Sequence, residues 1–220
     1  MQKKTKISKE NLLSIYMDFV IEQQKKPKNV EDFCKRCKIN TKEFYTYFKS
    51  LKKIEKIIFK ELFNNSLEVL NESEDFVTFD KKNKLLSLYF TFFENLNLNR
   101  DYILIALKGC KNKLKYYRTF SDLKKSFTQY IVTLELSESI LPIDGLEKIQ
   151  HKFVSETLWL QFILIFTFWL DDTSDSFEKT DILIEKSINT SFELLENKFL
   201  KNALDLGKFI YAEKFQKNKN

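Results

Sequence analysis

The sequence predicts an all-α protein, with a three-helix helix-turn-helix head followed by a larger helical body. Only three glycines and two prolines occur in 220 residues, so the punctuation that hairpins and tight strand turns need is missing. Apolar residues recur at three-and-four spacing through most segments, the period of one helical face. The hydrophobic share of 43% suffices for a sizeable core, and charged residues at 31% can cover it.

In the head, Ser8 is placed to cap a first helix whose inner face carries Leu12, Ile15, Tyr16, Phe19 and Val20. That helix should stop before "QQKKPKN", because Pro27 disfavours helical angles in the residue before it. Asn29 can cap a second short helix, with Glu31 and Asp32 in the first turn where the dipole favours negative charge, running to about Cys37. Asn40 reads as the cap of a third helix that holds Phe44, Tyr45, Tyr47 and Phe48. A fourth, from about Leu51, carries Ile54, Ile57, Ile58, Leu62 and Phe63 out of the head. Two short helices joined by a brief turn after a longer one form the helix-turn-helix arrangement.

The segment "NESEDFVTFDKKN" is the first polar gap long enough to separate units. Beyond it helices are expected in "KLLSLYFTFFENL", "RDYILIALKGCKNKLKYYRTF", "SDLKKSFTQYIVTLEL", "GLEKIQHKFVSETLWLQFILIFTFWL" and "EKTDILIEKSINTSFELLENKFL". Pro142 and Gly145 mark one loop, and "LDDTSDSFEK" marks another, with Asp171 and Asp172 read as solvated loop and helix cap. In the last long helix Ile184, Ile188, Phe192, Leu195 and Phe199 form a continuous apolar stripe.

Charge is unevenly distributed. Residues 1–60 hold sixteen Lys plus Arg against seven Asp plus Glu, a net of +9, while residues 61–220 carry −3. A lysine-rich surface of this kind favours polyanions, because each neutralised phosphate releases condensed counterions, and an anionic membrane would attract it similarly. The start "MQKKTKISKE" lacks the apolar core of a signal peptide, and three cysteines do not suggest a disulfide framework, so a cytoplasmic location is expected. The most apolar run, Leu158 to Leu170, is thirteen residues, short of the roughly twenty that span a bilayer. It is read as a buried core helix, with no stable membrane insertion.

Catalytic chemistry finds little support. The glycines are too scattered for a phosphate-binding loop, no GxSxG elbow occurs, and His151 is the only histidine. No cofactor or metal is expected: Cys34 and Cys37 form a CxxC without the further ligands a structural zinc needs, and Cys110 is remote. The pair reads as small packing residues in a helical seam, and His151 as an ordinary helix residue. The 22 phenylalanines are numerous. Tyr89, Phe92 and Phe93 in one helix, with Trp159, Phe162 and Phe166 in another, either build an aromatic core or line a cavity for a flat or greasy ligand.

What lifts the basic head above a merely solvated face is its coincidence with the helix-turn-helix pattern. In that geometry the start of the third helix meets base edges and flanking groups anchor on phosphates. Thr41, Lys42, Tyr45 and Tyr47 are expected to point outward and Phe44 and Phe48 inward, with Lys49, Lys52 and Lys53 placed for backbone contacts.

The stretch "VEDFCKRCKINTKEFYTYFKSLKKI" resembles the helix-turn-helix of the TetR family of one-component regulators over about forty residues. Val30, Phe33, Cys34, Cys37, Ile39, Phe44, Tyr45, Tyr47, Phe48, Ser50 and Ile54 fall on the family's apolar, small or aromatic positions. A second stretch, "FWLDDTSDSFEKTDILIEKSINTSFELLE", is similar to the C-terminal loop and dimerising helix of one TetR subgroup. The resemblance implies a DNA-binding head over residues 1–55 and a helical ligand-binding and dimerisation domain over 56–220. It implies DNA contacts from Asn40, Thr41, Lys42, Glu43, Tyr45, Thr46, Tyr47, Lys49, Lys52 and Lys53, and dimerisation through the stripe from Ile184 to Phe199.

Three positions depart from the family pattern: Lys38 stands for the usual glycine of the turn, Glu43 for a residue that meets a phosphate, and Leu51 for the lysine opening the fourth helix. A lysine at the turn implies a left-handed backbone at about 1 kcal/mol. Glu43 either repels DNA or accepts a hydrogen bond from a cytosine amino group. The implied function is a homodimeric repressor on a pseudo-palindromic double-stranded operator, released by a hydrophobic or aromatic small molecule. The alternative is a TetR-folded binder of hydrophobic ligands or lipids with weakened or lost DNA binding.

Overall fold

The computed structural model describes residues 7–108, 118–136 and 147–196, together with Leu206 and Glu213. Cys110, the Pro142–Gly145 loop, the side chain of Leu195 and Phe199 lie outside the described residues. Among those described no strand occurs, and ten α-helices follow one another.

The head is built from local rules. Helix α1 (Lys9–Gln23) starts where the Ser8 hydroxyl accepts from Asn11 N–H at 3.1 Å and ends at Gln24 in a left-handed conformation. Helix α2 (Val30–Arg36) is capped by Asn29, whose side-chain oxygen accepts from Asp32 N–H at 2.7 Å. Helix α3 (Thr41–Tyr47) is capped by Asn40, which accepts from Lys42 N–H at 2.9 Å. Helix α4 (Leu51–Asn71) begins at Ser50, which accepts from Lys53 N–H at 3.3 Å. Each side-chain acceptor satisfies a backbone donor that the first helical turn leaves orphaned.

The turn between α2 and α3 follows a Schellman pattern. Lys38 sits at φ 57°, its N–H reaching Lys35 O, and Ile39 N–H reaches back to Cys34 O at 2.9 Å. The buried Ile39 supplies the apolar contact that accompanies this motif. The left-handed conformation expected of Lys38 is present, at a position where glycine would be unstrained.

After α4 come α5 (Glu74–Thr78), α6 (Lys81–Leu98), α7 (Arg100–Leu107), α8 (Ser121–Thr133), α9 (Glu147–Asp171) and α10 (Glu178–Glu196). The polar gap after α4 is thus partly helical: Phe76 gives α5 a buried anchor and meets Phe79 at 6.1 Å between ring centres. By compactness the chain divides into two units, Met1–Ser73 with Thr91–Phe127, and Glu74–Phe90 with Thr128–Asn220. The division runs through α6 and α8.

The core of the first unit is aromatic. Phe33 receives Tyr16 edge-on at 5.4 Å and Phe44 at 6.0 Å, while Phe59 meets Phe120 at 4.7 Å and Phe63 meets Phe92 at 5.4 Å. Helix α1 packs on α7. Into this core α4 inserts a carboxylate: Glu55, 9% exposed, accepts from the Tyr16 hydroxyl at 2.8 Å and from Lys26 Nζ at 2.7 Å. Burial, reinforced by that carboxylate, pushes the Tyr16 phenol far above its ordinary pKa.

In the second unit α9 lies against α10. Asp172, just beyond α9, is 5% exposed and accepts from Ser174 N–H and Oγ and from Thr180 N–H and Oγ1, at 2.6–2.9 Å. Burial alone would raise its pKa, but the bonds from Thr180 and Ser174 outweigh that and bring it down to about 2. Asp171 is exposed, as a solvated loop residue should be, whereas Asp172 is a buried clamp on the entry to α10.

Replacing Glu55 by Ala leaves the Tyr16 hydroxyl buried without its acceptor and Lys26 without its partner. We expect a loss of about 2–4 kcal/mol in denaturant unfolding, with Glu55→Gln losing less because the amide can still accept from Tyr16. Lys38→Gly is expected to act oppositely, raising stability by about 1 kcal/mol in the same measurement, since it removes the side chain that disfavours the left-handed turn.

Candidate nucleic-acid interface

Helix α3 is short, and two rings set its pose. Phe44 and Phe48 are fully buried and pack on each other at 5.8 Å, so the opposite side of the helix faces solvent. Lys42, Tyr45 and Thr46 are exposed there, followed by exposed Lys49, Lys52 and Lys53. Tyr45, 49% exposed, stands edge-on to Phe44 and donates its hydroxyl to Glu31 Oε1 at 3.4 Å. Local burial and the Glu31 carboxylate raise its phenol pKa.

Other expected contact residues are differently placed. Asn40 is exposed, but its side-chain oxygen is engaged in capping. Thr41 and Tyr47, expected to point outward, are half-buried: the Thr41 hydroxyl offsets part of the rise that burial gives the Cys34 pKa, and Tyr47 lies beside Phe48 at 6.5 Å. Thr46 instead is exposed, its hydroxyl donating to Lys42 O at 3.0 Å. Glu43 is half-buried in the first turn of α3, where the helix dipole favours a carboxylate. Cys34 and Cys37 are free thiols, the first buried and the second half-buried, and burial raises both pKa values, that of Cys37 to about 11. Such thiols are poor nucleophiles, and no group of His, Cys, Asp or Glu among the described residues is placed to hold a metal ion.

One partnership that the sequence did not signal involves Lys53. Its Nζ donates to Asp122 Oδ2 at 2.6 Å, joining the first turn of α4 to the first turn of α8. Burial would raise the Asp122 pKa, but the Lys53 bond and the charges of Lys53, Lys56 and Lys125 hold it below the usual carboxylate value. The separation of 69 residues explains why spacing could not have revealed it.

The residues expected to line a ligand pocket are all buried to 2% exposure or less. In the second unit Phe162 stacks on Trp159 at 5.2 Å, meets Tyr89 and Phe166 at 6.1 Å, and Phe166 meets Trp169 at 5.4 Å. Phe92 and Phe93 belong to the first unit, where they pack on each other and Phe92 on Phe63. Both amide atoms of Gln161 are shut from solvent without a hydrogen-bond partner among the described residues, a polar group inside an aromatic helix. A cleft of about 610 Å³ also occurs in the first unit, between α1, α4 and the α6–α7 corner, and its walls are polar, with Glu10, Asp18, Glu61, Asn65 and Asn95 among them.

Of the expected dimerisation stripe, Ile184 and Ile188 are completely buried within the chain itself and Phe192 is half-buried. The exposed apolar face lies on α9, where Phe153, Leu160, Leu164 and Phe168 are 41–60% exposed. Spacings of seven, four and four residues put them on one side of the helix. The segment His151–Asp171, at 21 residues and a mean hydropathy of 1.6, is long and apolar enough to cross a membrane by length and composition, and half of it is buried in the fold. His151 is half-buried at its start.

Residues 84–210 match the family model for the tetracyclin repressor-like C-terminal domain. No curated protein matches the chain. The matched region covers more than half of the 220 residues and includes α9, the Asp172 clamp and α10. The chain belongs to the tetracyclin repressor-like (TetR) family of regulators.

Proposed function

We propose that this protein is a cytoplasmic, non-enzymatic transcriptional regulator, a homodimeric repressor that reads a pseudo-palindromic operator through α3 and is released by a small hydrophobic or aromatic ligand. The observation that carries the reading is the pose of α3: anchored inward by Phe44 and Phe48, it turns Lys42, Tyr45 and Thr46 outward within a stretch, residues 1–60, of net charge +9. A short helix of this kind enters the major groove, while Lys49 and Lys52 fall on the flanking phosphates. Residues 1–55 are then the DNA-binding part and 56–220 the regulatory and dimerising part.

The exposed α9 face supports a second copy as partner. Four large apolar side chains on one side of a helix form the continuous patch that marks an interface. Ile182 and Leu194 of α10, each about half exposed, extend it. Two α9–α10 pairs would build a four-helix interface, setting the two α3 helices about one DNA turn apart. For the effector, the ring ladder around Phe162 offers flat apolar surface and Gln161 a buried hydrogen-bonding group.

A lipid-binding protein that no longer reads DNA is the competing function. Glu43 in α3 and the Glu31 carboxylate on Tyr45 favour it, since both add negative charge where phosphate would approach. Titrating the chain's own upstream DNA at several salt concentrations decides between them. We expect binding with a log–log salt slope of about −0.9 per phosphate neutralised, and Leu164→Glu is expected to give monomers in sedimentation and to weaken operator binding at least tenfold. Absence of DNA binding at low salt, with lipid co-purifying, would establish the competing function instead.

A further inference from the structure

We propose that Asp122 is an internal competitor for DNA: it holds Lys53 away from the phosphate backbone, so that binding the operator requires Lys53 to exchange one anion for another. The proposal rests on the DNA-binding reading and adds a residue outside the head to it. Lys53 stands in the first turn of α4, three residues after the Ser50 cap and next to the exposed Lys52 and Lys49. It therefore lies on the basic track that continues from the end of α3. Its ammonium is held by Asp122 at 2.6 Å, and the Asp122 side chain is only 15% exposed while that of Lys53 is 47% exposed.

That asymmetry sets the direction of exchange. The carboxylate is fixed in place, bonded also by Ser121 Oγ at 3.4 Å, whereas the lysine is a flexible stem in contact with solvent. Lys53 is the group that can leave. While paired it contributes little positive potential, and the neighbouring carboxylate adds a repulsive term to any phosphate approaching the start of α4. A partly exposed pair of this kind is weak, so a phosphate that releases counterions can compete for the lysine. By linkage, whatever separates α8 from α4 strengthens DNA binding, and DNA binding loosens the α4–α8 contact by the same factor.

The experiment compares the full-length chain with Asp122→Asn, Lys53→Gln and the double variant, on the upstream DNA and on a random-sequence duplex across a salt series, with thermal unfolding confirming that each variant folds. Asp122→Asn should tighten binding to both duplexes about two- to fivefold per head, because Lys53 then meets a phosphate without first giving up a carboxylate. Lys53→Gln should weaken binding in the wild-type background, where Asp122 already competes for the lysine, by less than in the Asp122→Asn background, where it should abolish the gain. Superimposable salt series for wild type and Asp122→Asn, or an equal loss from Lys53→Gln in both backgrounds, would overturn the proposal while leaving the DNA-binding reading intact. If neither wild type nor Asp122→Asn binds either duplex at low salt, the DNA-binding reading itself falls and this proposal with it.

Discussion

The first unit depends on one buried carboxylate. Glu55 projects from α4 into an aromatic core where an unpaired charge would be costly, and only the convergence of Tyr16 from α1 and Lys26 from the α1–α2 connection satisfies it. Tyr16 then fixes Phe33 at 5.4 Å, and Phe33 fixes Phe44 at 6.0 Å. The pose of α3 is thus transmitted ring by ring from the position of α4. Apolar packing alone allows sliding, but a carboxylate with two directed partners allows one register. A head so constructed ties the pose of α3 to that of α4, which is what the proposed regulation by a ligand requires.

Charge adds a second layer. Residues 1–60 carry a net +9, yet carboxylates sit beside groups that the DNA-binding reading uses: Glu31 accepts from Tyr45 and, from α8, Asp122 pairs with Lys53. Exposed pairs of this type contribute a few tenths of a kcal/mol to about 1 kcal/mol. They order the side chains without committing them, and each can be exchanged for a phosphate oxygen. The exposed Lys42, Lys49 and Lys52 carry the long-range attraction meanwhile.

What was legible in the sequence was what is local. The caps at Ser8, Asn29 and Asn40 and the inward Phe44 and Phe48 follow from spacing and residue type within a few positions, the left-handed Lys38 follows from the family resemblance, and all are present. Thr41 shows where this reading stops: helical geometry alone turns it outward, but in the folded head it is half-buried. The Lys53–Asp122 bond spans 69 residues and has no periodic signature. Asp171 and Asp172 read as solvated loop and helix cap, but nothing in "LDDTSDSFEK" tells that Asp172 is the one the chain folds over.

The same limit explains α9 and α10. The Ile184–Phe199 stripe has the clean period of an interface helix, but periodicity says only that one face is covered, not whether by the same chain or another. Ile184 and Ile188 are covered from within. Helix α9 has no period to read because it is apolar all round, and this absence was the informative feature. A helix with Trp159, Phe162, Phe166 and Trp169 on one side and Phe153, Leu160, Leu164 and Phe168 on the other must satisfy two apolar faces. Its own unit buries the first. The second, 41–60% exposed in each residue, needs either another protein surface or a lipid environment. Membership of a family of regulators favours the protein surface, and a self-complementary stripe along one helix is what a two-fold axis requires, since each residue then faces its own neighbours in the second copy. Under the proposed dimeric, ligand-released reading α9 carries both surfaces in one element, the ring ladder around Phe162 on its inner face and Leu160 and Leu164 on its outer face, only a few residues apart.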